Sequence, residues 1–82
     1  MTREAIREAV LQALASVAPE VDVHAISLDR PLRDQVDLDS MDFLNVVIAL
    51  HGSLGVDVPE TDYGKFTSLR GAIDYLAGRL GA

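Results

Sequence analysis

Residues 37–54, Asp37-Leu38-Asp39-Ser40-Met41-Asp42-Phe43-Leu44-Asn45-Val46-Val47-Ile48-Ala49-Leu50-His51-Gly52-Ser53-Leu54, decide how this chain folds. From Ser40 to Leu54 there is no proline and no glycine before Gly52, and Gly55 follows where a helix would end. At about 100° per residue, Phe43, Val46, Val47, Leu50 and Leu54 gather into one stripe, the natural core face of a helix. Met41, Leu44 and Ile48 fall off that stripe, on the side of Ser40. Such a helix is either covered on most sides or offers its second apolar face to a partner. Asp39 stands where an N-cap is expected, and Asp42 falls in the first turn, where negative charge meets the positive end of the helix dipole. Ser40 then lies at the helix entrance, close to unpaired first-turn N–H groups, a location that suits a phosphate ester. An Asp-Ser pair before an apolar run is also how any capped helix begins, so the local spacing permits a modified serine without demanding one.

Upstream, Ile6, Val10, Ala13, Leu14 and Val17 recur at steps of three and four, which predicts a helix from about Thr2 to Val17. Thr2 can cap it, Glu4 suits its first turn, and Pro19 stops continuation past Ala18. The stretch from Pro19 to Leu38 holds Pro31, scattered acids and no sustained period, and is read as a long loop. It exceeds the roughly 12 to 15 residues usual for structureless connections, which points to a functional or packed segment. Ile26, Leu28, Leu32 and Val36 are expected to peg it onto the helices, with a short helical turn near Val23 to Ile26. Downstream, Val56, Val58 and Pro59 lead into Glu60–Phe66, read as one helical turn. Thr67 or Ser68 can cap a last helix that carries Leu69, Ala72, Ile73, Leu76 and Leu80 on one face and ends at Gly81. No segment alternates like a strand. The expected fold class is all-α: a small four-helix bundle of three longer helices and one short one, with a long loop between helices 1 and 2, forming a single domain over residues 1–82.

Composition narrows the function. With 82 residues, 49% of them apolar, the chain has room for one core. The absence of cysteine removes disulfides, thiolate zinc sites and a catalytic thiol. Thirteen acidic against seven basic side chains give a net charge of −6, which repels nucleic-acid phosphates and anionic lipid. Neither nucleic acid nor a membrane is therefore an expected partner, whereas proteins with basic patches are. No long apolar run and no secretory leader at Met1-Thr2-Arg3-Glu4 are seen, so a cytoplasmic, soluble protein is expected; a monomer is expected as well. Asp34, Asp37, Asp39 and Asp42 crowd the loop end, but a calcium loop of the EF-hand type would need an acid where Ile48 stands. His24 and His51 have no histidine at a helical step, and Ser40 has no neighbouring histidine to act as its base. No metal site and no catalytic residue is expected.

Asp39-Ser40-Met41 at the start of an apolar helix, the long loop before it, Leu54-Gly55-Val56-Asp57-Val58-Pro59 after it and Ala72-Ile73-Asp74-Tyr75-Leu76 near the end together make the chain resemble acyl carrier proteins over nearly its whole length. The family motif is Asp-Ser-Leu, here Asp-Ser-Met. The resemblance implies that Ser40 carries a covalent 4′-phosphopantetheine arm whose terminal thiol holds acyl intermediates as thioesters, in fatty acid, polyketide or related lipid biosynthesis. It implies priming by a phosphopantetheinyl transferase with coenzyme A and magnesium, with Asp39 assisting recognition. Acyl-transferring and acyl-modifying enzymes are then the later partners, and the carrier itself is no enzyme. The resemblance also puts Met41, Asp42, Leu44, Asn45, Ile48 and His51 on a partner-binding face. It lets Phe43, Val47, Leu50, Phe66, Leu69 and Ile73 line an acyl cleft, although the same residues suit the core equally well. Asp37 replaces the family's common glycine, and Asn45, His51, Gly52 and Ser53 stand where fatty acid carriers usually show glutamates. These departures favour a specialised carrier with dedicated partners. The alternative from a different class is a small helical adaptor, never modified, that binds a protein through Met41, Leu44 and Ile48.

Overall fold

The structure, a computed structural model, describes residues 1–81. Four α-helices follow one another: α1 (Arg3–Val17), α2 (Leu32–Gln35), α3 (Ser40–Leu54) and α4 (Leu69–Leu80). Two 3-10 stretches, Val23–Ala25 and Glu60–Phe66, lie between them. Among the described residues there is no strand, only an isolated bridge between Pro31 and Ser68. The all-α expectation holds, as do the three longer helices and the loop between the first two of them.

Each long helix starts where its cap stands. The Thr2 hydroxyl accepts the Ala5 N–H at 3.1 Å, and the Ser68 hydroxyl accepts the Gly71 N–H at 3.0 Å. Both satisfy first-turn donors that have no partner inside the helix. Gly55 and Gly81 end α3 and α4 with φ of 70° and 72°, the left-handed geometry that costs glycine little.

The apolar stripes of α1, α3 and α4 face one another. Ile6, Leu11, Leu14, Leu50, Leu69 and Leu76 are among the fully buried side chains of one continuous core. Full burial of a leucine contributes roughly 1.5–3 kcal/mol, so these few residues account for much of what holds the helices together. The α1 stripe is wider than its period predicts, since Leu11 and Ala18 are also buried while Val17 is only partly so. On α3, Val46, Val47 and Leu50 are buried, with Phe43 and Leu54 at the margins of the core.

The loop between α1 and α3 is packed and holds two short helical turns. Val23, Ile26, Leu32 and Val36 are buried, and Leu28 is half-buried. The turn expected near Val23 is the first 3-10 stretch; α2 was not expected, because four residues are too few for a helical period to register. The loop is laced to the start of α4. Leu32 N–H donates to the Thr67 carbonyl at 2.8 Å, and Arg70 N–H, a first-turn donor of α4, reaches the Leu28 carbonyl at 3.0 Å. Arg70 also forms an ion pair with Asp29, and its guanidinium holds the Asp29 carboxyl below the usual carboxylate range. Within the loop, Gln35 accepts from Ser27 N–H at 2.6 Å and donates to the carbonyls of Ser27 and Arg30 at 3.1 and 3.0 Å. At the other junction, a Cβ on Gly71 would stand 2.7 Å from the Lys65 carbonyl oxygen, so only glycine lets the second 3-10 stretch close onto α4.

Candidate functional site

The entrance of α3 is built by two aspartates. Asp39, in extended conformation, accepts the Asp42 N–H through Oδ1 at 2.8 Å, and the Asp42 carboxylate accepts the Asp39 N–H at 3.3 Å. This reciprocal capping box spares Ser40 from the capping role that Thr2 and Ser68 perform for the other long helices. Phe43 N–H is taken by the Asp39 carbonyl at 2.9 Å. The N–H groups of Ser40 and Met41 are left without a partner among the described residues, beside an exposed hydroxyl.

Ser40 also lines a cavity of about 510 Å³, a size typical of small-ligand sites. Buried Val10, Leu14, Val46 and Phe66 form its floor, and exposed Arg33, Asp39, Glu60 and Thr67 stand at its rim. Of the residues expected to line a cleft, only Phe43 and Phe66 do so. Val47, Leu50, Leu69 and Ile73 lie in the core, at 0–6% exposure. Helical period places a side chain on a face but not next to a gap, and the gap opens on the side where α1, the loop and the second 3-10 stretch meet α3. Three of its lining residues are aromatic: Phe43, Tyr63 and Phe66. Phe43 meets Tyr63 edge-on at 5.0 Å and Phe66 at 6.0 Å, and Phe66 reaches Tyr75 at 5.5 Å. The Tyr75 hydroxyl donates to Asp62 at 2.7 Å and accepts from Arg79 at 2.8 Å. Burial, and then the neighbouring Asp62 carboxylate, push its pKa up, with Arg79 opposing.

Among the described residues no histidine stands beside the Ser40 hydroxyl. His51 lies eleven residues further along α3, about 16 Å at 1.5 Å per residue. His24 is engaged with Glu8 at 3.1 Å. Among the described residues no three His, Asp or Glu side chains gather as metal ligands. An exposed hydroxyl without a histidine partner lacks the usual activation of a serine nucleophile, yet can still receive a group from an enzyme. A phosphate ester on Ser40 fits this setting, with two free backbone donors at the start of a long helix and a cavity alongside.

The residues expected on a partner face do stand together on the outside of α3. Met41, Leu44 and Ile48 are 66%, 40% and 58% exposed, and Asn45 and His51 are exposed with them. Asp42 is half-buried, its carboxylate turned to the cap. What residue spacing could not reveal are Arg33 and Tyr63, which reach the site from a loop turn and a 3-10 stretch that carry no long period.

Comparison with known proteins matches residues 8–76 to a family described as the phosphopantetheine attachment site. An acyl carrier protein of Campylobacter hominis is 29% identical over 73 residues, which cover 89% of this chain and 86% of that protein. Acyl carrier proteins of Treponema denticola and Myxococcus xanthus are 27% identical over 66 residues and 23% over 77, covering 80% and 90% of this chain and 85% and 98% of theirs. With the match running through all of α2 and α3 and much of α1 and α4, the chain belongs to the phosphopantetheine attachment site family and is a carrier protein, not an enzyme.

Proposed function

We propose that Ser40 is the attachment serine and that residues 1–82 act as one acyl carrier domain, cytoplasmic and monomeric. The observation that carries this reading is the spare hydroxyl: Asp39 caps α3, so Ser40 stands free at the helix start on the edge of an apolar cavity. The prosthetic arm, when attached, supplies the thiol that holds an acyl group. The chain's own residues present the hydroxyl, leave two N–H donors beside it, and keep the entrance rigid through the capping box. With no histidine beside Ser40, the phosphopantetheinyl transferase is expected to bring the base as well as the magnesium that accompanies coenzyme A. Asp39 keeps its second carboxylate oxygen for that enzyme, since only Oδ1 is engaged by the cap.

A specialised role within fatty acid, polyketide or related lipid biosynthesis is favoured by the outer face of α3. Between Asp42 and Asp57 there is no acid, and Met41, Leu44 and Ile48 are exposed. Acyl-transferring and acyl-modifying enzymes with an apolar docking surface suit such a face better than strongly basic ones. Incubation with coenzyme A, magnesium and a broad-specificity transferase, followed by intact mass measurement, tests the attachment. One added phosphopantetheine that is absent in Ser40→Ala is expected. No gain with several transferases would favour the unmodified adaptor.

A further inference from the structure

We propose that Arg33 positions the prosthetic arm: its guanidinium pairs with the phosphodiester on Ser40 and draws the arm over the adjoining cavity, a reading that rests on Ser40 as the attachment site. Arg33 and Ser40 line the same cavity of about 510 Å³, and Arg33 is the one cation in that lining. The other charged groups there, Asp39 and Glu60, are acids that repel a phosphate. Arg33 is exposed, and the ion pairs among the described residues use Arg3, His24 and Arg70. Among the described residues no carboxylate forms an ion pair with it.

Its backbone, in contrast, is held firmly. Leu32 before it is 5% exposed and Val36 after it 1%. Leu32 N–H is tied to the Thr67 carbonyl, and Gln35, in the same α2 turn, anchors Ser27 and Arg30. The loop thus spends its buried residues and its hydrogen bonds on placing an unpaired guanidinium at the cavity rim. A guanidinium can meet two phosphate oxygens at once, which fixes direction as well as distance, while the Ser40 and Met41 N–H groups approach from the helix side. The pairing sits in solvent and is weakened by salt.

Wild type, Arg33→Ala, Arg33→Glu and Arg33→Lys are primed and confirmed by intact mass, and the phosphorus resonance of the diester is then recorded at low salt and at about 1 M salt, where the screening length is about 3 Å. In wild type the resonance is expected to shift with salt. In Arg33→Ala and Arg33→Glu it should stay at the high-salt position throughout, with Arg33→Lys in between. The wild type alone gives a second readout, since its Arg33 Nε–H resonance should move on priming at low salt and return at high salt. An Arg33 resonance unmoved by priming, or a phosphorus signal identical in wild type and Arg33→Ala, overturns the proposal while leaving Ser40 in place. A wild type that gains no mass, or a gain that survives Ser40→Ala, overturns the attachment reading and the role of Arg33 with it.

Discussion

Ser40 and its two aspartate neighbours divide their work in a way that mutation can separate. Asp39 stabilises the helix through its side chain, whereas the Ser40 hydroxyl takes no part in the cap. Asp39→Ala should cost about 1 kcal/mol, which for a domain of this size lowers the melting temperature by about 4–8 °C. Ser40→Ala should stay within about 0.5 kcal/mol of wild type while losing all mass gain on priming. A large drop in melting temperature for Ser40→Ala would mean that the serine serves the fold instead. The cap was legible from residue order, because a cap is a contact between residues three apart. Asp42 was legible only as a charge in the first turn; that its carboxylate returns to the Asp39 N–H depends on a rotamer.

Among the elements, α3 carries the contrast between core and surface. Leu50 is fully buried and Ile48 is 58% exposed, although only Ala49 separates them. Leu50→Ala is expected to cost about 2–5 kcal/mol, enough to threaten a marginally stable domain. Ile48→Glu should leave the melting temperature and helicity nearly unchanged and still impair acyl transfer by downstream enzymes. Unfolding of the Ile48 variant would place that side chain inside the core. The 3.6-residue period showed both faces of α3, since five apolar residues on one arc need a partner surface wherever the helix lies. The loop elements were much less visible. Leu32 and Val36 could be read as pegs, but the four-residue turn from Leu32 is too short to show a period, and its tie to the Thr67 carbonyl joins distant parts of the chain.

Over the whole molecule, a chain of aromatic contacts joins α3, the second 3-10 stretch and α4, and its last member, Tyr75, titrates. The Tyr75 pKa is raised in the folded state above its ordinary value of 10.0. A group shifted in that direction contributes its stabilisation fully below the unfolded pKa and loses it as pH rises through the folded one. Stability should therefore fall above about pH 10 as phenolate forms opposite Asp62, and Tyr75→Phe should flatten that fall. Melting temperatures across the alkaline range check it; equal slopes for wild type and Tyr75→Phe would remove Tyr75 as the cause. Tyr75 was visible in sequence only as part of a family-like run, for its partners Asp62 and Phe66 belong to another element. Residue order was enough for the three long helices, for the caps at Thr2 and Asp39 and a last cap at Thr67 or Ser68, for the end at Gly55 and for the serine at the start of α3. All of these follow from contacts within a few residues and from a local period. Which side of α3 opens into a cavity, why Gly71 must lack a side chain, and that Arg33 lines the same cavity as Ser40 became visible only in the folded molecule. Those depend on where separate segments meet once the core has closed, and no local pattern records that.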